Sequence, residues 1–164
     1  MKGPAAAEKE DSETEDKDKN STRTLITYAY SETPNARENL LFFLHAGLHG
    51  AADFIFILNG PTDVGALIPR LPNVAIVERS NTCYDLGSHG EVLRRDDLWK
   101  RYRRFITLNA SIRGPFTPFW SRECWSDAYL GRVTDKVKVG LKHLIQLDCS
   151  AMIMTLITLS LNSS

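Results

Sequence analysis

Residues 1 to 22 carry no aromatic and almost no branched apolar side chain. Such a stretch cannot offset the entropy lost on ordering, so the pattern predicts a disordered acidic tail over 1–22. From Thr24 the pattern changes. TLITYAY (24–30) reads as a strand, and Asn35 to Leu48 as a helix entered through Ser31-Glu32-Thr33-Pro34 and left near Gly47. DFIFILNG (53–60) is an apolar run too short for a helix and closed by Asn-Gly, the mark of a buried strand running into a turn. A short helix over about Thr62 to Ile68 follows, and Pro69 and Pro72 bracket a turn. NVAIVERS (73–80) is a third strand, Gly87 to Arg103 a second long helix, and RFITLNASI (104–112) a fourth strand.

Strands alternating with helices imply parallel pairing, and near-continuous apolar strands imply helices on both faces. The expected fold is α/β: a three-layer, doubly wound, mostly parallel sheet formed by residues 23–138. Ligands of such sheets bind beyond the carboxyl ends of the strands. Here those ends are Ser31-Glu32-Thr33, Asn59-Gly60-Pro61-Thr62-Asp63, Arg79 through Ser88, and Asn109-Ala110-Ser111.

Composition narrows this picture little. Of 164 residues 43% are hydrophobic, and 20 basic side chains balance 20 acidic ones, so net charge favours neither nucleic acid nor membrane as a partner. Cys83, Cys124 and Cys149 have no metal-site spacing; buried free thiols are the ordinary reading, with a Cys83–Cys124 disulfide as the alternative. The first residues lack an apolar leader, which makes a cytoplasmic location the default. Ala151 to Leu161 is too short to span a bilayer.

No GxGxxG or GxxxxGK[ST] is present, which leaves a Rossmann dinucleotide site and a P-loop without support. The segment ERSNTCYDLGSHGEVL (78–93), a loop that opens a helix, resembles the "Arg-x-Asn-x-Gly-Tyr-Asp-x-Gly" run of GT-A glycosyltransferases, closest to rhamnan synthesis protein F and its family 2-like relatives. The likeness covers roughly residues 24 to 135, the nucleotide-binding half of that fold. It implies a nucleoside-diphosphate sugar as ligand, with a glycan or protein as acceptor. It implies Tyr30 and Ser31 beside the base, Asn59 at the polar end of strand two, and Asn81, Tyr84 and Asp85 against ribose or diphosphate. Gly87, at a helix N-terminus with unpaired N–H groups, suits an anion. Arg79 compensates the Asp85 carboxylate, and Arg113 neutralises diphosphate.

Two positions depart from that family pattern. Cys83 stands where the family has Gly, and Asn109-Ala110-Ser111 stands where it has Asp-x-Asp. Neutral oxygens at Asn109 and Ser111 argue against a divalent metal there. Asp85 also suits a helix cap, and Asn109, Ser111 and Arg113 a strand-end hydrogen-bond cluster. Surface or capping roles are expected for His45, His49 and His89. Lys100 to Arg104 reads as a basic helix end, and Trp120, Trp125 and Tyr129 as core more than as a sugar-stacking platform. Residues 139–164 read as an atypical apolar tail, because Ala151 to Leu161 follows neither a period of 2 nor one of 3.6. On that reading the GT-A-like fold is incomplete on its C-terminal side. The functional alternative is a non-catalytic binding module or a truncated, inactive homologue.

Overall fold

The computed structural model describes residues 22–82, 85–133, 139–143 and 153–158, the last two stretches by their backbone alone. All but Thr22 of the expected acidic tail (1–22), and Cys83, Tyr84 and Cys149, lie outside the described residues. Four parallel strands form the centre: β1 (Thr24–Ser31), β2 (Ala52–Asn59), β3 (Val74–Arg79) and β4 (Arg104–Asn109). Their order is β3-β2-β1-β4, continued beyond β4 by two antiparallel strands, β6 (Ile153–Thr158) and then β5 (Val139–His143). The last two fall within the apolar stretch that sequence periodicity left apart from the sheet.

Helix α1 (Pro34–Ala46) begins where Thr33, in extended geometry, caps it: Thr33 Oγ1 accepts from the Ala36 N–H at 3.1 Å, with Pro34 at the first helical position. It ends at Gly47, whose N–H donates to the Phe43 carbonyl. A Cβ on Gly47 would lie 2.6 Å from the Phe43 ring and 2.9 Å from the Phe43 carbonyl oxygen, so a side chain there would force the buried ring or the backbone to shift. Helix α2 (Asp85–Arg94) was expected to run on to Arg103. Instead Asp96 and Asp97 adopt φ of 51° and 54°, and the chain continues as a 3-10 segment, Arg95–Arg101. Asp is a poor helix former that tolerates the left-handed region better than most residues, which makes this pair a natural break. A short helix, α3 (Trp125–Leu130), follows β4.

The chain moves outward from β1 to β3 and then returns across the sheet to β4, so right-handed crossovers place α1 and α2 on opposite faces. The two cores reflect this. Ile26, Tyr28, Phe54, Phe56, Leu58 and Ile106 pack with Leu40 and Phe43 of α1 and with Trp125 of α3. Leu25, Ile55, Ile57 and Phe105 pack with Val92 of α2 and with Tyr102. Strand alternation is thus even-numbered toward α1 and odd-numbered toward α2. His89, for which a surface or capping role is expected, is instead buried in the second interface, where its Nδ1 lies 2.8 Å from Thr27 Oγ1 and the ring also bonds the Leu108 backbone. Trp125 is core, donating to the Gly47 carbonyl, whereas Trp120 is exposed.

Candidate functional site

Register decides which of the strand-end residues meet. Ser31 is opposite Asn59, Asn59 opposite Arg79, and Ala29 opposite Asn109. All four candidates, Ser31, Asn59, Arg79 and Asn109, are odd-numbered and therefore project from the α2 face at the carboxyl rim. Helix α2 adds Asp85 and Gly87 in its first turn. Asn109 Nδ2 donates to Asp85 Oδ2 at 3.0 Å, which ties the helix start to the end of β4. Asp85 is thus the first residue of α2, and one of its carboxylate oxygens bonds across the interface.

Arg79 organises the other end of this row. Its Nη1 donates to Asn59 Oδ1 at 2.8 Å, Nη2 and Nε donate to Glu91 Oε2 at 2.6 and 3.1 Å, and Nη2 reaches Thr82 Oγ1 at 3.3 Å. The Arg79 side chain is 6% exposed, and the carboxylate it pairs with is Glu91, not the expected Asp85. An arginine only donates, which fixes the Asn59 amide orientation: Oδ1 faces Arg79 and Nδ2 points elsewhere. Asn59 is 4% exposed, and its Nδ2 has no hydrogen-bond partner among the described residues. An orphan buried donor costs about 1–3 kcal/mol, so such a group needs an acceptor from outside the protein or an equivalent explanation. Asn81 is exposed beside Gly60, where φ of +87° turns the chain out of β2.

Tyr30 does not join this row. It is even-numbered, fully buried in the α1-side core, and its hydroxyl donates to Glu32 Oε2 at 2.8 Å. The expected contact with a base is corrected accordingly, because the ring has no exposed surface to offer. Ser111 and Arg113 lie over α1 instead of beside α2. Asn35 donates to the Ser111 carbonyl, Asn39 to that of Ala110, and Arg113 to Asn39 Oδ1 and Glu38 Oε2. Arg113 also stands over the Phe42 ring, and its ion pair is exposed. Tyr84 lies outside the described residues.

Sequence reading missed a second rim cluster, although its strand-end segments contain most of the members. Glu32 accepts from Arg37 Nε and Nη2, from Thr62 Oγ1 and from Tyr30, and Arg37 also pairs with Asp63. The Arg37 guanidinium, then Thr62 and Tyr30, hold the Glu32 carboxyl down at about 2. Burial, followed by the bond to Glu32, pushes the Tyr30 hydroxyl up to about 12. The cluster braces β1, β2 and α1 against one another and is ionised at neutral pH.

Among the described residues no three His, Cys, Asp or Glu side chains converge as a metal site, and no helix is long and apolar enough to cross a membrane. Cys124 is a free thiol. The fold and rim define the class: an α/β domain with a four-stranded parallel sheet and polar strand ends that converge at its carboxyl edge. Comparison with family models, with curated proteins and with solved structures gives no match.

Proposed function

We propose that this chain is a glycosyltransferase-like domain of GT-A type that binds a nucleoside-diphosphate sugar on the α2 side of its carboxyl rim. One observation carries the reading: the orphan Nδ2 of Asn59, a buried donor held in fixed orientation by Arg79 at the end of a central strand. A phosphate or ribose oxygen is an acceptor that answers it. The ten-residue α2 starts on the same rim, beside Asn109 at the end of β4, where a helix N-terminus favours an anion, and the switch between β1 and β4 is where sheets of this order take their ligands.

A second reading, binding without transfer to a glycan or protein acceptor, draws on the rim carboxylates. Glu32 and Asp63 are held by Arg37, and Asp85 accepts from Asn109. Glu32, at about 2, is too weak a base for proton abstraction at neutral pH.

Calorimetric titration with a panel of nucleoside diphosphates and their sugar conjugates tests the first reading. Binding is expected from at least one of them, with no dependence on chelator because no three His, Cys, Asp or Glu side chains converge as a metal site among the described residues. Asn59→Asp keeps the bond to Arg79 but replaces the donor with a charged oxygen, so affinity should fall about tenfold or more, roughly 1.4 kcal/mol per decade, without loss of fold. No heat with any nucleotide from a folded protein would refute the proposal. Binding without release of nucleoside diphosphate over many hours, with candidate acceptors present, would favour the module that binds without transfer.

A further inference from the structure

Opposite the rim, where α2 and its 3-10 continuation run into β4, the chain gathers Arg94, Arg95, Lys100, Arg101, Arg103 and Arg104 against two aspartates, Asp96 and Asp97. All six cations are exposed. Lys100 pairs with Asp97 at 2.8 Å and Arg95 approaches Glu91 at 3.9 Å, while Arg94, Arg103 and Arg104 make no ion pair among the described residues. The surface therefore carries an uncompensated positive charge that the rim does not use.

The same end of the sheet is where the amino-terminal stretch enters. Arg23 is clamped there: its Nε donates to Asp53 Oδ1 at 2.9 Å and its Nη2 to the Gly50 and Ala52 carbonyls. The other oxygen of Asp53 accepts from the Tyr102 hydroxyl at 2.9 Å, so one carboxylate joins the entry to β1 and the entry to β4. Register repeats the point, because Thr24 lies directly opposite Arg104 on the neighbouring strand. The preceding residues, 8 to 19, hold seven carboxylates against three lysines. An extended chain covers at most about 3.6 Å per residue, so Asp16 and Asp18 stay within roughly 25 Å of Arg23. A tether this short holds them at millimolar effective concentration over the arginines, and unlike charges attract beyond contact range at low salt.

We propose that the basic surface at the amino end of the sheet is the docking surface for this chain's own acidic run, residues 8–18. Charge complementarity and the clamped exit at Arg23 select that occupant. The attraction is electrostatic and weak per pair, so it should vanish at high ionic strength.

Zero-length carbodiimide coupling of the full chain reads this directly, since Lys100 is an amine inside the surface. At low salt, peptide mapping should find carboxylates of residues 8–18 joined to Lys100 within one chain, and high salt should lower that yield several-fold. The double variant Arg103→Gln, Arg104→Gln keeps Lys100 as reporter and should show the same loss in low salt. Both side chains are exposed, an unchanged thermal transition checks its fold, and the salt series on the parent chain stands without it. Absence of the product at low salt, or a yield unmoved by both salt and the double variant, would overturn the proposal. Products that join two chains, seen at dimer mass, would overturn it in favour of a second copy as occupant.

Discussion

The two faces of the parallel sheet are held in different ways. On the α1 face Tyr28, Phe43, Phe54, Phe56 and Trp125 form a chain of aromatic contacts, with Tyr28 and Phe43 at 4.7 Å and the others edge-on or tilted at about 6 Å. On the α2 face the apolar cluster is smaller, and polar links carry part of the attachment: His89 to Thr27 and Leu108, Asp85 to Asn109, and Glu91 to Arg79. Apolar packing tolerates small shifts, whereas hydrogen bonds fix direction and register. The face that bears the candidate site is thus the one where α2 is positioned by specific bonds, and the face that bears most of the buried aromatic surface is the one that holds the domain together.

Removing an aromatic from the α1 face should therefore have the largest effect. Phe43→Ala should cost about 3–5 kcal/mol in denaturant unfolding, because Phe43 is fully buried and touches four other rings. A loss below that of the α2-face changes would invert the comparison.

Acid should act on the α2 face next. Burial pushes the His89 imidazole down to about 4, against 6.5 for an unperturbed ring. The unfolded chain then binds the extra proton first, so this contribution is complete above about pH 6.5 and is lost as pH falls toward 4, by up to about 3 kcal/mol. Stability curves for the parent and for His89→Gln should converge over that window. Parallel curves would mean that His89 is not buried as a neutral ring.

The smallest effect is expected at the helix start. Asp85→Ala removes one half-buried bond to Asn109 and should cost about 1 kcal/mol. Hydrogen exchange should quicken in the first turn of α2 before it quickens anywhere on the α1 face. Uniform exchange across both faces would show that this bond does not position the helix.

Much of the framework was legible in the sequence. The four parallel strands fall within three residues of their expected spans, because β-branched and aromatic runs bounded by Asn-Gly, Pro and Ser are strong local signals. The rim row of Ser31, Asn59, Arg79 and Asn109 was also nameable, since strand ends can be counted. What resisted was the direction of side chains. In a strand covered on both faces nearly every position is buried, so the parity that sends Tyr30 into one core and Ser31 toward α2 leaves no alternation in the pattern. His89 was misread for a related reason: a histidine inside a predicted helix gives no hint that Thr27, far away in the chain, will satisfy it. The break at Asp96-Asp97 is a backbone choice that only the return to β4 makes necessary.

The order β3-β2-β1-β4 also bears on how the domain is assembled. Of the four parallel strands the first in the chain is an interior one, and its β4 edge stays unpaired until Arg104 to Asn109 have been made. During translation the β1-α1-β2-β3 portion must keep an apolar strand edge open, the condition under which nascent chains stick to one another. Its closing contacts join residues distant in the chain, which slows the last step of folding relative to a helical protein of this length. The connectivity of the sheet thus fixes β4 as the strand that closes the parallel core, ahead of any property of the finished site.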